Sequence, residues 1–138
     1  MKPISTKTHG ILDYGTVVVL YALPRIFRWN RRATGFLTFM SAFLLGYSSY
    51  TRYELGIFKT MPMSKHLMFD AISGFVMALS PTFLHTHSRF VNAVLIGLGL
   101  YEIGAAMTTE SAERPRLMQQ SSPDKFEIPI DVQEYING

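Results

Sequence analysis

The sequence predicts an all-α integral membrane protein: a four-helix bundle made of two tandem, parallel helix-hairpin repeats. Three observations predict it. Four apolar runs each approach the roughly 20 residues that a helix needs to cross a ~30 Å hydrocarbon core. Most charges fall into narrow strips between those runs, as in loops flanking bilayer spans. A shift of 57 residues lays His9 on His66, Asp13 on Asp70, Pro24 on Pro81, Arg32 on Arg89 and Thr51 on Thr108.

The first span is expected over about 8–27, around Gly15-Thr-Val-Val-Val-Leu-Tyr-Ala-Leu23. In lipid a backbone must satisfy its own polar groups, so this run is a helix despite its β-branched valines. Lys2 and Lys7 before it mimic a signal peptide, but no small-x-small cleavage pattern follows, so the run reads as a retained span. The second span is expected over about 33–53, the third over about 64–84 and the fourth over about 90–107. Short connections, 28–32 and 85–89, make the helices of each pair antiparallel neighbours. Trp29, Tyr47, Tyr50 and Tyr53 lie near span ends, where amphipathic rings favour the interface. Small residues, Ala42 and Gly46 in helix two and Ala93, Gly97 and Gly104 in helix four, mark the faces expected to pack closely.

The membrane domain is thus residues 1–107, with repeat one at about 6–54 and repeat two at about 63–108. Each repeat holds two spans, so both copies insert the same way round, about a pseudo-twofold axis along the membrane normal. Residues 108–138 form a polar, acidic tail, in which Phe126, Ile128, Ile130 and Val132 alternate like an extended segment broken by Pro129. Residues 1–107 hold ten Lys or Arg against four acids, and the tail holds three against six. The basic residues bracket apolar segments and form no patch, which argues against nucleic acid. With no cysteine, disulfides, thiolate metal sites and cysteine nucleophiles are excluded. No Walker loop, Gly-x-Ser-x-Gly, zincin motif or dinucleotide fingerprint occurs.

The chemistry sits in the duplicated His-x-x-x-Asp. His9 and Asp13, like His66 and Asp70, are four apart and share one helix face. Helices one and three run the same way, so both motifs lie at one depth. Helix two returns to that depth at Tyr47 to Arg52, and helix four at Glu102. The sequence therefore places His9, Asp13, His66, Asp70, Glu102 and Arg52 in one polar layer near one membrane face. Ionisable groups at such depth are costly and usually face the bundle interior. Three readings compete. The layer is a structural network joining the hairpins, the reading favoured here. Alternatively, metal candidates His9, His66, Asp13, Asp70 and Glu102 hold an ion such as iron or zinc, or the two histidines grip a haem. Or the carboxylates relay protons or bind a small solute. His85 and His87 read as solvated loop residues.

Two strings, Thr8-His9-Gly10-Ile11-Leu12-Asp13-Tyr14 and Met61-Pro62-Met63-Ser64-Lys65-His66-Leu67 with Asp70 and Gly74, resemble the SPW-repeat membrane proteins. The likeness covers about 6–107, and Ser80-Pro81 keeps two letters of the naming motif. That resemblance implies a bacterial four-span protein of two hairpin repeats and implies no catalytic activity.

The expected role is accordingly a non-enzymatic accessory or scaffold subunit of a larger membrane assembly in a bacterial inner membrane. Its partners would be lipid and other membrane subunits, or a second copy, with the tail as one contact. The alternative is a metal- or haem-binding redox or transport protein. Lys2, Lys7, Arg52, Lys59, Lys65, Arg114 and Arg116 lie on the N-terminal side, against Arg25, Arg28, Arg31, Arg32 and Arg89 opposite. The positive-inside rule then leans towards cytoplasmic termini.

Overall fold

The computed structural model describes residues 3–110. The tail's alternating segment lies outside the described residues. Four helices follow in order: α1 (Thr6–Ile26), α2 (Arg31–Tyr50), α3 (Met63–Leu84) and α4 (Arg89–Thr108). Their starts are capped as the sequence allows. Ser5, Asn30 and Ser88 each accept from the backbone N–H three residues on, at Thr8, Ala33 and Val91, which satisfies one orphan donor of a first turn. Pro62 precedes α3, with no side-chain cap. After α1 the chain turns through Arg28 at φ 51°, with the Trp29 N–H returning to the Pro24 carbonyl. After α3 it turns through His85 at the same φ.

Two of the four helices, α3 and α4, are long and apolar enough to cross a membrane by composition. Helices α1 and α2 match them in length, at 21 and 20 residues. The closest packing is within the hairpins, α1 on α2 and α3 on α4, and α2 also meets α3. The α3–α4 crossing depends on two glycines. A Cβ on Gly74 would stand 2.6 Å from the Gly99 carbonyl oxygen, and one on Gly99 would stand 2.6 Å from the Ala78 nitrogen. The small residues expected to line the packing faces do not do so. Ala42, Gly46, Ala93, Gly97 and Gly104 are all exposed, and a Cβ on any of those three glycines would meet nothing within 4 Å. Composition alone does not fix the rotation of a helix whose outer face is as apolar as its inner one.

The buried faces repeat with the sequence. His9, Asp13, Thr16 and Leu20 of α1 match His66, Asp70, Ser73 and Met77 of α3, each 57 residues on. The second helices match one residue later. Ala33, Leu37, Ser41, Leu44 and Ser48 of α2 fall on Val91, Leu95, Gly99, Glu102 and Ala106 of α4. The extra residue sits between His85 and the Ser88 cap. The sequence pairings of Arg32 with Arg89 and of Thr51 with Thr108 are therefore each off by one. Arg31 and Thr109 are the true mates.

Backbone pairing closes the repeat on itself. The segment before α3 pairs with the end of α2: Met61 N–H donates to Tyr50 O, and Arg52 N–H donates to Met61 O, both at 2.8 Å. The segment before α1 does the same at the end of α4. Ile4 N–H donates to Thr108 O at 3.3 Å, and Glu110 N–H donates to Ile4 O at 3.0 Å. Each hairpin thus ends in a short parallel bridge to the start of a long helix.

Burial is inverted relative to an ordinary water-soluble core. Large apolar side chains such as Val18, Phe39, Phe75 and Leu100 are 59–65% exposed, whereas His9, His66, Asp70, Ser48 and Ser80 are 0–3% exposed. An apolar cluster around Leu20, Leu37, Met77 and Leu95 fills the half of the bundle away from the histidines.

Enlarging Gly99 should disrupt the α3–α4 crossing, because a rigid backbone stands in the way. Gly99→Val is expected to destabilise the folded protein by about 1–3 kcal/mol, read as a lowered unfolding midpoint in detergent. Gly97→Val, facing outward on the same helix, should leave the midpoint nearly unchanged.

Candidate functional site

Four ionisable side chains meet where α1 and α3 begin. His9 Nε2 lies 2.9 Å from Asp70 Oδ2 and 3.3 Å from Asp13 Oδ1. His66 Nε2 lies 3.0 Å from Asp13 Oδ2 and 3.2 Å from Asp70 Oδ2. The two Nε2 atoms are themselves 3.2 Å apart. Each residue offers one ligand atom, and the four atoms lie within 4.8 Å of one another. The arrangement is crossed: each histidine's shortest carboxylate contact is with the aspartate of the other hairpin.

The other ring nitrogens are held by threonines at the helix ends. His9 Nδ1 is 2.7 Å from Thr109 Oγ1, and His66 Nδ1 is 2.8 Å from Thr51 Oγ1. Thr51 and Thr109 are the C-caps of α2 and α4. Each hydroxyl donates to the carbonyl four residues back, Tyr47 O and Ala105 O, at 2.7 Å. A hydroxyl has one proton, so each threonine oxygen must accept from its histidine.

The aspartates are held as well. Tyr47 O–H donates to Asp70 Oδ1 at 2.6 Å, and Ser48 O–H donates to Asp13 Oδ2 at 3.3 Å. The rings of Tyr47 and Tyr53 flank His66, with centroids at 5.0 and 5.7 Å. The Tyr53 ring lies against Gly10, where no Cβ would fit.

Five of the six residues that the sequence assigned to the layer come together. His9, Asp13, His66 and Asp70 form the cluster. Glu102 stands beside it: the Ser73 hydroxyl lies 2.8 Å from Glu102 Oε2, and Glu102 lines a small cavity with His9, Asp13 and Asp70. It is not one of the four converging ligand atoms. Arg52 is the exception and corrects the sequence reading. It lies past the end of α2, exposed, and its Nε donates to Lys59 O at 3.0 Å. A guanidinium on a long side chain escapes to the surface more cheaply than it enters a bundle.

The cavity reflects a difference between the two halves. The mate of Tyr47 is Ala105, so no phenol fills the space beside Asp13. The gap is bounded by Asp13, Asp70, Tyr101, Glu102 and Ala105, with room for about one water molecule. A haem does not suit this geometry. Two imidazoles on opposite faces of one iron stand roughly twice a 2 Å metal–nitrogen bond apart, whereas these stand 3.2 Å apart with carboxylates against both.

Sequence reasoning placed Tyr47, Ser48 and Thr51 at the depth of the layer without giving them a role in it, and missed Ser73 and Thr109. The signal that could have found them is their placement: hydroxyl residues at helical spacing on otherwise apolar spans mark the inner face. No protein-family model, no curated protein and no solved structure matches this chain.

Because the threonines are equivalent, their loss should cost alike. Thr51→Val and Thr109→Val each strand a histidine N–H in the interior, expected to cost about 1–3 kcal/mol. Unfolding in detergent should show the two variants within experimental error of each other, whereas Thr108→Val should be milder.

Proposed function

We propose that the chain is a small integral membrane protein that crosses the bilayer four times and serves as a scaffold or accessory element of a membrane assembly. The observation that carries this is the inverted burial: polar side chains are gathered inside and phenylalanine, leucine and valine are turned out. In water such a surface would aggregate. In lipid it is the expected one, since buried polar groups hold helices together where no hydrophobic force does. Helices of 20–22 residues fit the thickness of the hydrocarbon core.

The role is read as structural because the polar layer is built from side chains that contact one another and leave no room for an organic molecule. The cavity beside it holds about one water and no organic substrate. The crossed His–Asp contacts join α1 to α3 and so latch one hairpin to the other. The resemblance to SPW-repeat proteins agrees with this reading, and with it a bacterial inner membrane. The outward apolar surface offers lipid, a second copy or another subunit a face to meet. The end of the bundle bearing Arg28, Arg31, Arg32 and Arg89 lies opposite the His–Asp layer, which with Lys59 and Lys65 would face the cytoplasm with the termini.

The absence of cysteine makes topology easy to test. Single substitutions Arg28→Cys, Lys59→Cys and His87→Cys should remain with the membrane through alkaline carbonate. An impermeant maleimide should label positions 28 and 87 from the periplasmic side and position 59 from the cytoplasmic side. Release by carbonate, or labelling of 59 and 87 from one side, would overturn the four-span reading.

A further inference from the structure

We propose that His9, Asp13, His66 and Asp70 form a tetrahedral site for one divalent first-row transition ion, zinc foremost, that bolts the two hairpins together. The proposal rests on the reading of this layer as the latch and names what fills it.

The hydrogen bonds fix the histidine tautomers. Thr51 and Thr109 spend their only protons on backbone carbonyls, so each must accept from the Nδ1–H of its histidine. A neutral histidine with its proton on Nδ1 has a bare lone pair on Nε2. Both Nε2 atoms point into the cluster, 3.2 Å apart and within 3.3 Å of carboxylate oxygens. Two lone pairs and two carboxylates therefore face one point with nothing positive between them. Such a convergence, away from water, is strongly unfavourable unless a cation sits at its centre.

The spacing fits such a cation. Metal–nitrogen and metal–oxygen bonds of about 2.0–2.2 Å place tetrahedral ligands roughly 3.3–3.6 Å from each other. The observed nitrogen–nitrogen and nitrogen–oxygen contacts run from 2.9 to 3.3 Å, with Asp13 meeting His9 through Oδ1 and His66 through Oδ2, and a set of one atom from each residue lies within 4.8 Å. Moving the close histidine contacts apart by a few tenths of an ångström and turning one carboxylate inward to close the widest pair would complete the geometry. The charge fits too: two carboxylates and a divalent ion sum to zero, which suits a low-dielectric interior.

The surroundings are those of a structural metal centre. Metal-binding histidines almost always donate their other N–H to an oxygen, which orients the ring and raises its basicity. Here a threonine serves each ring, and Tyr47 and Ser48 tether the carboxylates. Imidazole and carboxylate donors without sulfur favour zinc and its divalent neighbours over Cu(I). Four protein ligands close the site, as in structural zinc centres. The competing arrangement places a proton on each Nε2 in place of the metal. With both protons in place two imidazolium edges would stand 3.2 Å apart, and with only one the second Nε2 lone pair would still face the carboxylates.

The test uses the full chain with no histidine tag, purified in detergent and analysed for metals. About one zinc per chain is expected. After zinc is stripped, Co(II) should produce the visible bands of a four-coordinate N₂O₂ complex. Thr51→Val and Thr109→Val keep all four ligands and should weaken zinc binding roughly 10–100-fold, measured against a chromophoric chelator. His66→Gln should lose stoichiometric zinc. A helical, membrane-inserted native chain that carries no metal and takes up no cobalt would overturn the proposal, leave the membrane reading standing and assign the layer to protons. Threonine variants that bind zinc as tightly as the native chain would overturn the tautomer assignment on which it rests.

Discussion

The two histidines cannot be buried one at a time. Each is sealed from solvent, each needs a threonine at one nitrogen, and each meets at the other nitrogen a carboxylate from the opposite hairpin. Removing any partner leaves a polar or charged group stranded in an apolar setting, at a cost far above that of an exposed pair. This mutual requirement fixes the rotation of α1 and α3 about their axes and the level at which they start. It also fixes the ends of α2 and α4, because Thr51 and Thr109 must stop where the histidines begin.

The remaining architecture follows from that layer. The bridges at Met61 and at Ile4 bring each long helix to the end of a short-loop partner, and so deliver each threonine to its ring. Apolar packing around Leu20, Leu37, Met77 and Leu95 then fills the other half of the bundle. The Gly74–Gly99 approach draws α3 and α4 closer than side chains would otherwise allow. The symmetry is broken where Tyr47 has Ala105 as its mate and Leu44 has Glu102. One aspartate is pinned by a phenol, and the other faces a water-sized gap beside a glutamate.

Much of this was legible in the sequence, for a physical reason. Polar residues on apolar spans are costly enough to be placed deliberately, so His9, Asp13, His66 and Asp70 announced an inward face, and their repetition announced its duplication. Helix existence and approximate bounds followed from run length; α3, expected at 64–84, spans Met63–Leu84. Helix rotation was not legible where the residues were merely small. Gly97 and Gly104 resemble packing positions in composition and yet point outward. The one-residue insertion before Ser88 was hidden, because Thr108 and Thr109 are both threonine and only register tells them apart. Arg52 was misplaced because its sequence position gives the depth of its Cα and not the reach of its side chain.

The central claim is that the layer acts as one unit across the hairpins. A double-mutant cycle on His9→Gln and Asp70→Asn, read as unfolding free energy in bicelles, tests it most directly, since these residues meet at 2.9 Å and lie on different hairpins. A unit predicts that the second substitution costs much less once the first is made, with a coupling of about 0.5–3 kcal/mol. Additivity within about 0.5 kcal/mol would mean that the two hairpins hold together without the layer, and would contradict the account.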